Sequence, residues 1–221
     1  SEFASLAELA ELFECWLATG PQVVRGDDLA PAALDLPIPG EHNRRNAAAA
    51  IAAHELAGVS PEEAAPVLAE FRGAARRFEL RGEAGGVAVY DDYAHHPAEV
   101  AVTIAAARER GAGRVLVLFQ PHLYSRTRHL AREFGSALAE ADAVCVTEVY
   151  PAREEPLEGV TGKLIVDAVL EARPGMPVGW TPAVEDGARI LARQARPGDF
   201  VLTMGAGDVD RAAPLLLEAL A

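Results

Sequence analysis

The sequence predicts an α/β fold: a Rossmann-like, mostly parallel sheet with helices on both faces, preceded by a helical remnant of a larger domain. Three observations predict it. From Val87 onward, short β-branched or apolar runs alternate with amphipathic stretches of helical period, the signature of strand–helix crossovers. Glycine and proline pairs punctuate the helix exits at Gly111 and Gly113, Pro174–Gly175 and Pro197–Gly198, as helix ends require. Before Val87 the texture is helical, with no alternating run long enough for a sheet of its own.

Each element follows in order. Residues 4–18 read as one amphipathic helix with Leu6, Leu9, Phe13 and Leu17 on a stripe, and Ser1–Glu2–Phe3 are read as including cloning-vector residues. Residues 21–40 carry Pro21, Pro31, Pro37 and Pro39 with little periodicity, which suggests a loop or extended crossover. An alanine-rich helix spans 42–58 and ends near Gly58; a second runs from the N-cap Ser60, through Pro61 and Glu62–Glu63, to about Phe71. Arg76–Gly82 and Val87–Asp91 flank Gly85–Gly86 as a hairpin leading into the sheet. Strands follow at Val87–Tyr90, Arg114–Phe119, Ala143–Thr147, Val178–Trp180 and Phe200–Thr203. Helices lie at Pro97–Arg110, Thr127–Ala139, Thr161–Ala172, Val184–Ala195 and Asp208–Leu220, with Pro97 in a first turn, Thr161 as an N-cap and Asp208 opening the last. Helices without a sheet make an uncomfortable domain, so 75–221 is expected to fold by itself and the helical part to be labile.

Composition removes several function classes. Twenty basic against 33 acidic residues give a net charge of −13, which repels a phosphate backbone and argues against nucleic acid as partner. No apolar run reaches the ~18 residues of a membrane span, so no membrane association is expected. Two cysteines, Cys15 and Cys145, make no disulfide framework, and the chain reads as cytoplasmic. The only lysine is Lys163, and around it the P-loop positions for the first glycine and the hydroxyl hold Leu157 and Leu164. Any ATP chemistry must take its phosphate grip from elsewhere.

In a parallel sheet the ligand binds beyond the carboxyl ends of the strands, so the loops after Tyr90, Phe119, Thr147 and Thr203 are the informative ones. Asp91-Asp-Tyr-Ala-His-His-Pro97 gathers two acids and two histidines at one strand end. Adjacent side chains on an extended loop diverge, so a single metal ion is not expected there; acids suit ribose hydroxyls and histidines an anionic or transferring group. Phe119-Gln-Pro-His-Leu-Tyr-Ser-Arg-Thr127 ends a buried strand in polar groups, costly unless they meet a ligand or one another. Arg126 offers the fork that recognises a carboxylate. Gly40-Glu-His-Asn-Arg-Arg-Asn46 opens a helix where Asn43 could simply cap, or where amides could meet a purine edge at the positive end of the dipole. Met204-Gly-Ala-Gly-Asp208 permits close backbone approach before the last helix.

Five of these segments together resemble the Mur ligases: Pro39-Gly-Glu-His-Asn-x-x-Asn46, Ala75-Arg-Arg-Phe78, Asp91–Pro97, Phe119–Thr127 and Gly205-Ala-Gly-Asp208 occur in that family's order over about 39–208. The segment at 119–127 and Tyr150-Pro-Ala-Arg-Glu-Glu-Pro156 resemble the branch that joins L-alanine to UDP-N-acetylmuramate. The resemblance implies a three-domain enzyme of peptidoglycan precursor synthesis. Residues 1–74 would be the C-terminal helical remnant of its central ATP-binding domain and 75–221 the Rossmann-like amino-acid-ligase domain. It implies ATP and Mg2+ as cofactors, with the magnesium and phosphate ligands mostly in an N-terminal part outside this chain. The carboxylate becomes an acyl phosphate, the amine attacks, and the fragment alone is expected to be inactive. Carried over by position, His42, Asn43, Asn46, Arg77 and Asp92 imply nucleotide contacts; His96, His122, Arg126 and Asp208 imply the amino-acid pocket, with His96 and His122 catalytic; no metal ligand is implied. Many relatives have arginine where this chain has Leu123. Two alternatives remain: a sister ligase attaching a recycled tripeptide to the same sugar, and a non-catalytic nucleotide-binding module.

Overall fold

The computed structural model describes residues 5–221. The expectation for Ser1–Phe3 therefore lies outside the described residues. The chain divides into two units, one running through Pro37 and including Glu41–Phe71, the other formed by Ile38–Gly40 and Arg72–Ala221.

The first unit is helical, as its sequence predicts: α1 (Leu6–Leu17), a 3-10 turn at Gly26–Asp28, α2 (Glu41–Leu56) and α3 (Pro61–Ala69). Its order is local. The Ser5 hydroxyl accepts from the Glu8 N–H at 3.2 Å to start α1, and Arg25 grips both oxygens of Glu14 at 2.9 and 2.6 Å. Ser60 and Glu63 form a reciprocal capping box for α3, satisfying two of the donors a helix start leaves open. α3 stops at Ala69, two residues short of the expected Phe71. Burial is nearly absent: no residue of α1 is buried, one of α2 (Ala47) and one of α3 (Ala64).

The second unit is a six-stranded sheet: β1 (Glu79–Ala84), β2 (Val87–Asp92), β3 (Val115–Phe119), β4 (Ala143–Val146), β5 (Val178–Trp180) and β6 (Phe200–Met204), in the order β1-β2-β6-β3-β4-β5. Only β1 is antiparallel, joined to β2 through Gly85 and Gly86 at φ 56° and 75°. Two consecutive left-handed residues make the type I′ turn that a twisted hairpin needs. The helices are α4 (Pro97–Glu109), α5 (Tyr124–Leu138), α6 (Lys163–Ala172), α7 (Val184–Gln194) and α8 (Ala212–Leu220).

Period-two alternation builds two cores. From β3, Val117 and Phe119 join Val100, Ile104, Phe134, Leu138, Ile165 and Val169 of α4, α5 and α6. Leu116 and Leu118 join Val184, Ala188, Leu191, Ala213 and Leu216 of α7 and α8. Each such side chain taken from water contributes about 1.5–3 kcal/mol. The chain winds in one direction through β2, β3, β4 and β5, then α7 returns it so that β6 inserts between β2 and β3. That reversal opens a crevice at the carboxyl ends of β2, β6 and β3.

In the second unit β1 covers Glu79–Ala84 rather than Arg76–Gly82, and three helix starts differ from expectation. α5 begins at Tyr124 rather than Thr127, because Leu123 adopts φ 70° and Glu154 reaches over to accept the Ser125 N–H at 2.9 Å. Thr161 accepts from the Lys163 N–H at 3.3 Å, but the helix itself starts at Lys163. Asp208 does not open the last helix: a 3-10 turn at Val209–Arg211 intervenes, and the Asp208 side chain makes no cap.

Candidate functional site

β2 ends in two buried acids with different jobs. Asp92 accepts the Phe78 N–H at one oxygen and the Ala94 N–H at the other, both at 2.7 Å. Burial pushes its carboxyl up, against the opposing pull of those two bonds and of Arg77. Asp91 is fully buried; it accepts from Arg76 Nε at 2.7 Å and from the Thr203 hydroxyl of β6 at 2.6 Å. Arg76 also donates to the carbonyls of Gly207 at 3.1 Å and Gly205 at 2.8 Å.

The histidines beyond Asp92 are set by the start of α4. His96 Nδ1 accepts the Ala98 N–H at 3.3 Å, which leaves Nε2 as the outward nitrogen, and Pro97 supplies the fixed φ of the first turn. The backbone N–H groups of His95 and His96 both donate to Glu99 Oε2, at 2.9 and 3.1 Å. Burial raises the Glu99 carboxyl, but those bonds and the charges of His95 and Arg77 bring it below the usual range. Arg77 is half exposed, 3.7 Å from Glu99 and 5.7 Å above the Tyr93 ring.

β3 delivers the second group. Gln120 is buried; its Nε2 donates to Asp208 Oδ1 at 2.8 Å, while its Oε1 is buried without a partner. Gly207 is required beside it, since a Cβ there would overlap Gln120 Oε1 and the Tyr150 ring. The His122 ring stacks on Tyr150 at 5.9 Å and meets His95 edge-on at 5.9 Å, with Nδ1 buried and unpartnered. Burial, then the charges of Arg126 and His95, push the His122 imidazole down, so it is neutral at pH 7. Arg126 makes only a long 3.4 Å bond to the His95 carbonyl and has no ion-pair partner among the described residues.

Tyr150 pairs with the loop after β3: its N–H donates to the Pro121 carbonyl at 2.8 Å, and its carbonyl accepts the Leu123 N–H at 3.0 Å. Glu154 then holds the Ser125 hydroxyl in a very short bond, which draws its carboxyl below the usual range. Leu123 is fixed in a left-handed conformation rare for a branched residue, and such strain clusters at ligand sites.

Asp92, His96, His122, Arg126 and Asp208 thus all lie at the carboxyl ends of β2, β3 and β6, with Arg77 just before β1. His42, Asn43 and Asn46 lie in the first two turns of α2, in the other unit. Sequence reasoning passed over Arg76, Asp91, Gln120, Tyr150 and Glu154 as site residues. The signal was adjacency: all five sit inside segments whose neighbours had been singled out. No group of three histidine, cysteine or acidic side chains among the described residues could hold a metal ion, and no helix there is long and apolar enough to cross a membrane.

A half-buried arginine without an ion-pair partner among the described residues, a histidine pushed toward its neutral form and unpartnered polar atoms make the topological switch point of this α/β domain its candidate site. The chain belongs to the Mur ligase family, whose Mur ligase, glutamate ligase domain matches residues 76–207. It is 51% identical over 199 residues to the UDP-N-acetylmuramate–L-alanine ligase of Thermobifida fusca, covering 86% of this chain and 41% of that protein. Among solved structures, the UDP-N-acetylmuramate–alanine ligase of Thermotoga maritima matches with TM-score 0.66 and 30% identity over 84% of this chain and 39% of that one. A murein peptide ligase from Psychrobacter arcticus matches with TM-score 0.63 and 28% identity over 85% and 38%. The chain spans about 40% of the length of the curated relatives it matches.

Proposed function

We propose that the chain is the C-terminal part of an ATP-dependent ligase that joins L-alanine to UDP-N-acetylmuramate in the cytoplasm. In it, 1–74 belong to a central ATP-binding domain and 75–221 form the amino-acid-ligase domain. The observation that carries this reading is the unpaired Arg126 fork beside neutral His122, in a chain half identical to curated alanine-adding ligases. ATP converts the muramate carboxylate to an acyl phosphate; the alanine amine then attacks the carbonyl and inorganic phosphate leaves. Arg126 holds the alanine carboxylate, Asp208 receives its ammonium end, and His122, with a free buried Nδ1, takes the proton the amine loses. His96 presents Nε2 to the developing oxyanion, since Nδ1 is engaged in capping α4. His42, Asn43 and Asn46 contact the adenine, Asp92 the ribose and Arg77 the phosphates.

The sequence has no P-loop lysine to clamp the transferring phosphoryl group, so the fragment alone is expected to make no product. The test is steady-state kinetics on the complete ligase carrying this chain, with each substrate varied in turn. Arg126→Ala should raise the alanine KM by an amount on the order of the 2–5 kcal/mol lost when a buried charge pair loses one partner, with the ATP KM nearly unchanged. Lysine at 126 should rescue only in part, because it keeps the charge without the fork. Turnover with a murein tripeptide but not with alanine would replace this reading with the sister ligase. No ATP-dependent turnover with either would leave a binding module.

A further inference from the structure

We propose that Arg76 is a positioning residue of the acceptor site, fixing the 205–208 loop and, through it, Asp208 and Gln120. The inference rests on the reading of Asp208 given above. One rigid guanidinium makes three bonds: Nε to Asp91, and its two terminal nitrogens to the Gly207 and Gly205 carbonyls. A loop with two glycines has wide conformational freedom. Peptide planarity means that fixing the carbonyls of Gly205 and Gly207 also fixes the N–H directions of Ala206 and Asp208, pointing away from Arg76. Asp208 is then delivered to Gln120 Nε2 at 2.8 Å, and the packing of Gly207 against Gln120 and Tyr150 completes the seat.

Arg76 is itself held for this purpose. Its backbone is in the left-handed region at φ 56°, with its N–H donating to Glu79 at 2.8 Å and its carbonyl accepting the Tyr93 N–H at 2.7 Å. Its guanidinium lies 5.2 Å from the Tyr93 ring centroid. Asp91, the counter-charge, is fully buried and tied to Thr203 on β6, the strand that launches the loop. The neighbouring Arg77 instead meets Glu99, so two consecutive arginines serve different parts of the site. Lysine can neutralise Asp91 but cannot span two carbonyls at the same time, which separates the positioning role from the electrostatic one.

The experiment compares wild type, Arg76→Lys, Asp208→Asn and the double variant in the complete ligase. Arg76→Lys should keep the wild-type melting temperature within a few degrees and raise the alanine KM about tenfold or more, as small misplacements of a binding group do, with less than a twofold change for ATP. The double variant should be no worse than Asp208→Asn, because both changes remove the same contact. An alanine KM within twofold of wild type, equal rises for ATP and alanine, a multiplicative double variant or a silent Asp208→Asn would each overturn the inference. If wild type forms no product, the functional reading has failed, and amide shifts in the 221-residue chain decide the positioning claim. Arg76→Lys should then move the Ala206 and Asp208 resonances and leave those of β4 and β5 in place; unmoved resonances overturn it.

Discussion

Helices α1 and α5 carry the same kind of pattern and end in opposite environments. α1 leaves Leu6, Leu12, Phe13 and Trp16 between 53 and 81% exposed, whereas α5 buries Phe134 and Leu138 almost completely against β3. The difference is the sheet. Amphipathic period and a good cap suffice to define a helix, but its apolar face stabilises only what it is packed against. The second unit supplies alternating strands for two helical layers; the first unit has helices, caps and ion pairs, with Ala47 and Ala64 as its buried helical residues.

The two cysteines measure this contrast directly, one in each unit. Cys15 is exposed on α1, while Cys145 of β4 is buried and its thiol is pushed up to about 11 by burial. Thiolate is the attacking species, so at pH 8 Cys145 has neither access nor ionisation. Its reaction with an aromatic disulfide should be slower than that of Cys15 by a factor on the order of 10³ or more, since it waits for opening of the core. Cys15→Ser should remove the fast phase alone. Two fast phases of equal amplitude would mean that the sheet is as open as the helices.

A smaller but still large effect separates two phenylalanines. Phe134 is 1% exposed and packs on Phe119 with ring centroids 5.1 Å apart. Phe134→Ala should destabilise the second unit by about 3–5 kcal/mol through lost transfer energy and the remaining cavity. Phe13 is 53% exposed, and Phe13→Ala should stay within about 0.5 kcal/mol. Denaturant unfolding followed by tryptophan fluorescence, at matched slope, checks both. Similar losses would show that α1 carries a core contact of its own.

What the sequence revealed follows the same division between local and distant causes. The strands, the hairpin and the α4 start were legible because Gly85–Gly86, Pro97 and the alternating runs act through their immediate neighbours. The start of α5 was not, because its cap comes from Glu154, 29 residues away, onto Ser125. Likewise Asp208 looked like a helix opener, yet its carboxylate is turned to Gln120, 88 residues distant. In the site, the motif residues were visible by type and spacing. The assignment of Arg76 and Asp91 to a buried pair depends on strand register, with β2 and β6 placing Asp91 opposite Thr203. No local pattern encodes that neighbour.

The smallest expected effect tests whether the first unit is held by its caps. Ser60 Oγ accepts the Glu63 N–H at 3.3 Å, and Glu63 accepts both the Ser60 N–H and hydroxyl at 3.0 Å. Ser60→Ala should cost about 1 kcal/mol, equivalent to roughly fivefold faster amide exchange in α3. The strand amides of Val117 and Leu202 should not change, because they sit in the core of the other unit. The bond from the Ser60 N–H, followed by that from its hydroxyl, draws the Glu63 carboxyl below its usual range. A depressed folded-state value contributes stability above the unfolded value and loses it as pH falls through the folded one. Exchange in α3 should therefore quicken on acidification, relative to a helix without such a cap, and Glu63→Gln should remove that part of the pH dependence while keeping an acceptor. If Ser60→Ala quickens Val117 by the same factor as α3, the helices and the sheet open together. The contrast between a unit held by local caps and a unit held by its core would then be lost.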